Sequence, residues 1–231
     1  MPNDFIEASV LHSSRSKEDR DRDASSHPAA VLKFMGVAPG MAVLDLNSAT
    51  GYYTELLSRV VGESGRVIAH NHPGAKTLLR PEDMERRYHD RRLPNIDQLF
   101  ARHNELNFTA QSLDAVLMSM IYHDLYWHQS NVDWGPIDIY ALLNQLHAAL
   151  KPGGVVCVID HHAGPGIDPH QSAIATHRID RAMVLKDFLA VGFVLDAESD
   201  VLRNPADDHQ LSVFDPKISG KTDQFILRFR R

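Results

Sequence analysis

The chain has 231 residues, of which 43% are hydrophobic and 23% charged, a balance typical of a globular protein rather than a disordered or fibrous one. A formal net charge of −6 gives no general attraction to nucleic-acid phosphates, and no apolar run is long enough to span a bilayer. We therefore expect neither a nucleic-acid partner nor a membrane partner. The start of the chain lacks the pattern of a signal peptide and Cys157 is the single cysteine, so we expect a cytoplasmic protein without an internal disulfide.

The first 26 residues differ in character from the rest. They are polar, with closely spaced charges of both signs between Arg15 and Asp23. Mixed charges favour a solvated helix or lid over a basic nucleic-acid-binding arm. We predict an N-terminal helical or lid extension over residues 1–26 and a single domain over residues 27–231. Residues 202–222 of that domain are rich in Asp, Pro, Gly and Ser and are predicted to be an insertion.

Strands and helices alternate along most of the remaining chain. Apolar runs bounded by turn residues predict strands over residues 43–46, 65–71, 97–102, 115–121, 155–159, 193–201 and 224–229. Helices are predicted over residues 28–35, 52–61, 137–150 and about 180–191, with an irregular stretch at 164–172. The alternation predicts an α/β fold, an open and mostly parallel sheet with helices on both faces. The last two strands are predicted to be an antiparallel hairpin at one edge.

The most informative stretch is residues 43–51. It combines a short apolar strand that reaches the carboxylate of Asp45, a tight turn of small residues, and the helix at 52–61. A strand, turn and helix in this order direct the N–H groups at the helix N-terminus towards a ligand above the strand ends. Such an arrangement suits a nucleotide-like ligand, although a plain structural turn remains an alternative for so short a motif.

This stretch resembles a known motif. Its spacing, Asp-x-Asn-x-Ala-x-Gly, is similar to the Asp/Glu-x-Gly-x-Gly-x-Gly motif of class I S-adenosylmethionine-dependent methyltransferases. Leu-Lys-Pro-Gly-Gly at 150–154, before an apolar strand, also resembles that class. Further segments resemble an uncharacterised group of predicted methyltransferases; they are residues 27–32, 51–57, 122–124, 160–161, 177–180 and 198–205. The resemblance implies a Rossmann-like methyltransferase fold with S-adenosylmethionine as cofactor.

The chain departs from that class at three positions, two of them within the motif. Asn47 and Ala49 replace two glycines; Asn tolerates a left-handed backbone and Ala adds only one methyl group, so the turn can persist. Asn71 stands where the class has an acidic residue that binds the ribose hydroxyls, which implies a weaker amide contact. The residues that the resemblance assigns to the cofactor are Asp45, Asn47, Ala49, Gly51, Tyr53, Asn71 and Tyr122.

Polar and titratable side chains follow several of the predicted strands. In open α/β sheets ligands bind beyond the carboxyl ends of the strands, where these side chains converge. Histidine accepts a proton near pH 7, so we expect His123 to be the general base with a pKa of about 6–7. We expect Asp160 to orient its ring, with His161 as the rival base. The candidate catalytic residues are His123, Asp124, Asp160 and His161.

Each of these residues also has a structural interpretation. Asp45 could cap the turn that follows it, and His123 could be a hydrogen-bonded structural histidine. Tyr53 could pack on the core rather than against the methionyl end of the cofactor. His177 and Arg178 are equally compatible with a network at a helix start and with a substrate clamp.

The chain's fourteen histidines raise the question of a metal. Imidazole and carboxylate groups suited to a divalent transition metal occur at His123, Asp124, Asp160, His161 and His177. No His-x-x-His or His-Glu-x-x-His spacing occurs, and neighbouring residues of one strand point to opposite faces. We therefore predict no metal site.

Together these features favour a methyltransferase that acts on a small molecule. The predicted reaction is direct displacement of the methyl group from S-adenosylmethionine to oxygen or nitrogen. Two alternatives stay open: a non-catalytic protein of the same fold that binds a ligand or partner, and a metal-dependent hydrolase or lyase. The sequence does not identify the acceptor, and it leaves a homodimer open.

Overall fold

A computed structural model describes residues 4–77, 79–127 and 135–231. The strands in this part of the chain are β1 (Ala42–Leu46), β2 (Arg66–Asn71), β3 (Ile96–Phe100), β4 (Leu113–Ser119), β5 (Leu150–His161), β6 (Val194–Ser199) and β7 (Gln224–Arg230). The helices are α1 (Asp4–Val10), α2 (Lys17–Ser26), α3 (Pro28–Met35), α4 (Tyr52–Val61), α5 (Pro81–Tyr88), α6 (Ile139–Ala149), α7 (Pro169–Thr176) and α8 (Arg181–Ala190).

The strands form one sheet in the order β3-β2-β1-β4-β5-β7-β6. The pairs from β3 to β5 are parallel, whereas β7 is antiparallel to both β5 and β6. The predicted fold class is therefore confirmed, with the antiparallel hairpin at the C-terminal side of the sheet. Because β7 lies between β5 and β6, the outermost strand on that side is β6.

Apolar side chains cover both faces of the sheet. On β1, Leu44 packs with α6 and α8 on one face, and its neighbour Val43 packs with α1, α3 and α4 on the other. Alternation of side chains along a strand, with both faces buried, requires the near-continuous apolar runs seen in β1, β4 and β5. Because β1, β2, β4 and β5 are parallel, their carboxyl ends lie along the same edge of the sheet.

Side-chain caps set where several helices begin. Asp138, Asp168 and Asp180 each accept a hydrogen bond from a backbone N–H in the first turn of α6, α7 and α8 respectively. The predicted bounds of α4 are those observed. The predicted irregular stretch at 164–172 is wrong in part, because the Asp168 cap and the following proline start α7 there.

The N-terminal residues pack on the rest of the protein. Ile6 of α1 is 1% exposed and belongs to the core on the α4 face. Asp19 of α2 pairs with the buried Arg87 of α5, at 2.6 Å between Nη1 and Oδ2. Lid movement by residues 1–26 stays a prediction. Within the described residues, none of the helices combines the length and apolar character needed to cross a membrane.

The segment between β6 and β7 is held by a fully buried arginine. The Arg178 guanidinium donates to both carboxylate oxygens of Asp207, at 2.9 and 3.1 Å, and to the Leu211 carbonyl. A charge without solvent contact requires such pairing, since an unpaired one is very costly. The pair fixes residues 202–222 against the end of β5 and the residues after α7.

We expect Asp207→Asn to destabilise the protein by roughly 3–5 kcal/mol, because the amide cannot neutralise the buried Arg178. The neighbouring Asp208→Asn is the matched control, since Asp208 is exposed and only accepts from the Gln210 N–H. Chemical denaturation measures both. Equal stabilities of the two variants would show that the Arg178 pair does not hold this segment.

Candidate functional site

A cleft of about 320 Å³ opens at the carboxyl ends of β1, β2 and β4. Five of the seven predicted cofactor residues line it: Asp45, Asn47, Ala49, Tyr53 and Asn71. The cleft also has residues that the sequence did not single out for this role, chiefly Arg22 of α2 and Ser119 and Met120 after β4. The guanidinium of Arg22 lies 4.1 Å over the ring of Tyr52. The sequence showed that Arg22 belongs to a charged N-terminal segment, but it did not show that Arg22 lies at the cleft.

The turn after β1 has a left-handed backbone at alternate residues. The φ angles are +54° at Asn47, +50° at Ala49 and +84° at Gly51, the three positions of the glycine motif. Asn enters this region with little strain, whereas Ala does so at a cost of roughly 1 kcal/mol. The turn therefore keeps the conformation that the motif's glycines favour, without two of the glycines.

Neighbouring strands hold this turn in place. The Asn47 N–H donates to Nδ1 of His70 at 3.3 Å, and the ring's Nε2 lies 2.9 Å from the Ala101 carbonyl. The Asn71 side chain accepts from the Ala49 N–H at 2.9 Å and donates to the Ala49 carbonyl and to Ser48 Oγ. Because both amide protons of Asn71 are used locally, only its oxygen has capacity left for a ribose hydroxyl.

Asp45 lies at the bottom of the cleft with 3% of its surface exposed. It accepts a hydrogen bond from Thr54 Oγ1 at 2.6 Å, as the structural interpretation of this residue anticipates. Burial raises the pKa of Asp45 to about 6, against the opposing effect of the Thr54 hydroxyl. The Asp45 side chain thus contacts Thr54 in the first turn of α4 and also lines the cleft.

Two buried polar atoms on cleft-lining residues lack hydrogen-bond partners within the described parts of the chain. They are Nδ2 of Asn47 and Oγ of Ser119. Buried polar groups are nearly always paired, so unpaired ones beside a cleft indicate a polar ligand. Asn47 is otherwise satisfied, because its Oδ1 lies 3.1 Å from His103 Nε2.

The structure places the other two predicted cofactor residues away from the cleft. A Cβ at Gly51 would approach Tyr88 Oη to 2.5 Å, so this glycine permits packing of α5 against the turn. Tyr122 is fully buried in the core, and its hydroxyl donates to Asp187 at 2.9 Å. Tyr122 is therefore not supported as a cofactor contact: its ring packs with Phe188 on the sheet face that carries α6 and α8.

A second cavity, of about 380 Å³, adjoins the cleft and shares Met120 and Asp124 with it. Its polar lining consists of His123, Asp124, His161 and His177. Its apolar lining consists of Met120, Trp127, Val213 and Phe214. The structure thus gathers three of the four predicted catalytic residues around one cavity, and Asp160 lies directly behind His123. The contributions of Val213 and Phe214 were not predicted; both residues belong to the segment between β6 and β7.

His123 lies between two carboxylates and is almost fully buried. Its Nδ1 is 2.7 Å from Asp160 Oδ1, and its Nε2 is 3.2 Å from Asp124 Oδ1. Burial alone would lower the pKa of His123, but Asp160 and then Asp124 outweigh it and raise the pKa to about 10. The expected pKa of 6–7 therefore does not hold in this environment, the role of His123 as general base stays a prediction, and the expected contact from Asp160 is present.

The remaining polar groups of this cavity have different environments. Burial lowers the pKa of His161 to about 4, and its Nδ1 lies 2.8 Å from Thr222 Oγ1. Burial would raise the pKa of Asp124, but His123 and His177 hold it below its usual range. His177 Nδ1 is 3.7 Å from Asp124 Oδ1. The imidazoles of His123 and His177 therefore both face the Asp124 carboxylate, and His161 lines the same cavity.

Comparisons with known proteins agree with this architecture. A family model for protein-L-isoaspartate(D-aspartate) O-methyltransferase matches residues 17–86. The chain is similar to demethylmenaquinone methyltransferase of Lactococcus lactis, at 31% identity over 58% of this chain and 48% of that protein. It is also similar to the ubiquinone/menaquinone biosynthesis C-methyltransferase UbiE of Escherichia coli, at 26% identity over 72% of this chain and 62% of that protein. The chain thus matches less than two thirds of the length of either relative.

A solved S-adenosylmethionine-dependent methyltransferase from Aquifex aeolicus has the same fold. The TM-score is 0.61 at 21% identity, over 92% of this chain and 96% of that one. The fold is therefore the one found in S-adenosylmethionine-dependent methyltransferases, and the matching family model and both relatives are methyltransferases as well. The resemblance seen in the sequence is confirmed.

Acid should destabilise the protein through His70. Burial lowers the pKa of His70 from 6.5 to about 4, so between these values the unfolded chain binds a proton that the folded protein does not. The free energy of unfolding should therefore fall as the pH falls through this window, by up to roughly 3 kcal/mol from this residue. Chemical denaturation at a series of pH values measures the effect.

His70→Gln should reduce that pH dependence to the part that other buried histidines such as His161 contribute, whereas His89→Gln, at an exposed histidine, should leave it unchanged. The assignment of the acid response to His70 is contradicted if the two variants and the wild type show the same slope.

Proposed function

We propose that this protein transfers the methyl group of S-adenosylmethionine to an oxygen or nitrogen of a small molecule. The observation that carries the proposal is that two cavities meet at Met120 and Asp124. One is the cofactor cleft, built on the glycine-motif turn. The other is enclosed by imidazoles and apolar side chains, and we assign it to the acceptor. Two reactants held in adjoining cavities gain the large rate advantage of proximity and alignment.

The cleft fits S-adenosylmethionine through groups of both signs. The Arg22 guanidinium and the unpaired Asn47 amide suit the oxygens of the cofactor's carboxylate and hydroxyl groups. The Asp45 carboxylate and the Asn71 oxygen are acceptors for its N–H and O–H groups. The bound cofactor would supply an electrophilic methyl group on a positively charged sulfur.

The protein's contribution to the chemical step is alignment. In the proposed reaction the acceptor's oxygen or nitrogen would form a bond to the methyl carbon while the carbon–sulfur bond breaks and its electron pair stays on sulfur. The acceptor would release one proton to solvent, so atoms and charge balance without an oxidant or reductant. The walls formed by Trp127, Val213 and Phe214 make one side of the cavity apolar, which suits a ring or another apolar body.

A carbon acceptor is the second candidate. Two relatives are named for menaquinone or ubiquinone biosynthesis, and one of them is named a C-methyltransferase. The apolar side of the acceptor cavity is compatible with a quinone-type ring. Oxygen and nitrogen rank first because the polar side of the cavity, which includes Asp124 and His177, can bind a protonated acceptor atom.

Location and assembly belong to the same proposal. We assign the protein to the cytoplasm, with a small-molecule acceptor and no nucleic-acid partner, in keeping with the net charge of −6 and the buried single cysteine. A homodimer stays open.

Cofactor binding should depend on the two unpaired polar atoms of the cleft. Asn47→Asp keeps the oxygen that contacts His103 and replaces the unpaired NH₂ donor with a negatively charged acceptor oxygen. Ser119→Ala removes only the unpaired hydroxyl. We expect each to weaken binding of S-adenosylmethionine and of its demethylated product by roughly 10-fold, the equivalent of about 1.4 kcal/mol for one hydrogen bond. Calorimetry measures both affinities.

Ser64→Ala is the control, because Ser64 is exposed in the turn before β2, at the opposite end of the strand from the cleft. If both cleft variants bound S-adenosylmethionine as tightly as the wild-type protein, the cofactor would not bind in this cleft. No binding by the wild-type protein at millimolar ligand would favour the non-catalytic alternative.

Blocking the acceptor cavity should separate methyl transfer from cofactor binding. Val213 lines only the second cavity, so we expect Val213→Phe to lower methyl transfer at least about 10-fold while cofactor affinity stays unchanged. Val194→Phe, at a residue 62% exposed on β6, is the matched control. Transfer of an isotope-labelled methyl group to phenols, amines and quinols, followed by mass spectrometry, gives the rate, and NMR gives the methylated atom.

Unchanged transfer in Val213→Phe would exclude this cavity as the acceptor site. Intact cofactor binding without transfer to any acceptor would favour a non-catalytic role.

A further inference from the structure

Asp160 fixes the protonation of the His123 ring. The Asp160 carboxylate accepts from the backbone N–H of His123 at 3.0 Å and from that of His161 at 2.7 Å, and it lies 2.7 Å from His123 Nδ1. A fully buried carboxylate among N–H donors requires the proton on Nδ1. The lone pair of a neutral His123 is therefore on Nε2.

That Nε2 faces a second carboxylate. It lies 3.2 Å from Asp124 Oδ1, so two electron-pair donors would face each other if the ring were neutral. A cation is needed between them: either a second ring proton or a metal ion. The arrangement of Asp160, His123 and Asp124 is the one in which a carboxylate orients a metal-binding histidine.

A third ligand favours the metal. His177 Nδ1 lies 3.7 Å from the same Asp124 oxygen, and one ligand atom from each of His123, Asp124 and His177 lies within 4.8 Å of the other two. Two atoms bound tetrahedrally to one Zn²⁺ at ~2.1 Å are ~3.4 Å apart. A proton shared by His123 and Asp124 would leave His177 as a separate contact of Asp124, whereas one metal ion would join all three.

The backbone explains why the sequence pattern did not predict this cluster. His123 and Asp124 lie in a short 3-10 turn, residues 123–125, beyond the end of β4, so their side chains do not alternate as on a strand. His177 ends α7 with a left-handed backbone, φ +53°, next to the buried anchor Arg178. Two separate turns thus bring the three ligands together.

We propose that His123, Asp124 and His177 form a binding site for a divalent transition metal of the Zn²⁺ type. Two imidazoles and one carboxylate are a donor set suited to such ions, and three protein ligands leave a coordination position for a further molecule. Asp160 acts behind His123 as an orienting residue. The site lies on the wall of the acceptor cavity.

The metal defines the class of acceptor, a step that rests on the proposed function. An acceptor hydroxyl bound to the ion loses its proton to solvent more readily and presents an anionic oxygen to the methyl group. The acceptor would then be a hydroxylated small molecule with an apolar ring or body against Trp127 and Phe214. No protein base is required in this arrangement.

The test is metal binding by the full chain, measured without cofactor or acceptor. We expect Zn²⁺ to bind with 1:1 stoichiometry in calorimetry, and Co²⁺ to give the visible absorption of a low-coordinate nitrogen and oxygen site. Asp160→Asn should weaken Zn²⁺ binding by roughly 10–100-fold. Asp124→Asn and His177→Gln, which remove ligands, should each weaken Zn²⁺ binding by at least as much. His89→Gln, at an exposed histidine, should bind like wild type.

Equal Zn²⁺ affinity in wild type and His177→Gln would overturn the proposal, because the ion would then bind elsewhere among the histidines. His177→Gln also keeps the test decisive if Asp124→Asn fails to fold, since the His177 side chain is 23% exposed. If the wild-type protein bound neither Zn²⁺ nor Co²⁺, the cation between His123 and Asp124 would be a second proton on the His123 ring. That result would also overturn the proposal.

A second measurement addresses the acceptor. A chelator should abolish methyl transfer to hydroxylated acceptors while leaving cofactor affinity unchanged, and added Zn²⁺ should restore it. If the protein bound the metal but not the cofactor, the proposed function would be contradicted and the metal site would be supported. Methyl transfer that is insensitive to the chelator would refute the metal's role in binding the acceptor and keep the proposed function.

Discussion

The fully buried carboxylate of Asp160 is the constraint on which the site depends. A charge at the end of a central strand, without solvent contact, must be satisfied by donors close to it. The donors come from the backbone and ring of His123 and from the backbone of His161. One carboxylate thereby joins the turn after β4 to the end of β5 and sets the orientation of the His123 ring. The positions of Asp124 and of the acceptor cavity follow from that contact.

The cofactor cleft shows how a turn can keep its shape when the motif that usually specifies it has changed. Asn47 and Ala49 adopt the left-handed backbone that glycine would adopt with less strain. Contacts from β2 offset that cost: His70 receives the Asn47 N–H, and the Asn71 amide bonds Ala49 on both sides. Because Asn71 replaces the usual acidic residue, it can donate to the turn, which a carboxylate could not do. The changes in the glycine motif and at the ribose-binding position are thus physically linked.

The acceptor cavity depends on a different part of the chain. Residues 202–222 contribute Val213, Phe214 and Thr222 to its surroundings, and the Arg178–Asp207 pair holds that segment in place. Phe214 is 68% exposed although it lines the cavity, so it lies at the mouth rather than in the core. Under the proposed function, changes in residues 202–222 would alter which acceptor is bound while the cofactor cleft on the other strands stays the same.

The sequence by itself determined the elements whose signals are local. Apolar runs bounded by turn residues specified the strands, the spacing of Leu56, Leu57 and Val60 specified α4, and the motif residues marked the strand end where the cofactor cleft forms. Only the tertiary structure decided which polar side chains share a cavity. Tyr122 lies in the core and donates to Asp187, and His177, at the end of α7, faces Asp124. The electrostatics of His123 were decided there too, because its pKa depends on the distances to Asp160 and Asp124, which no spacing along the chain encodes.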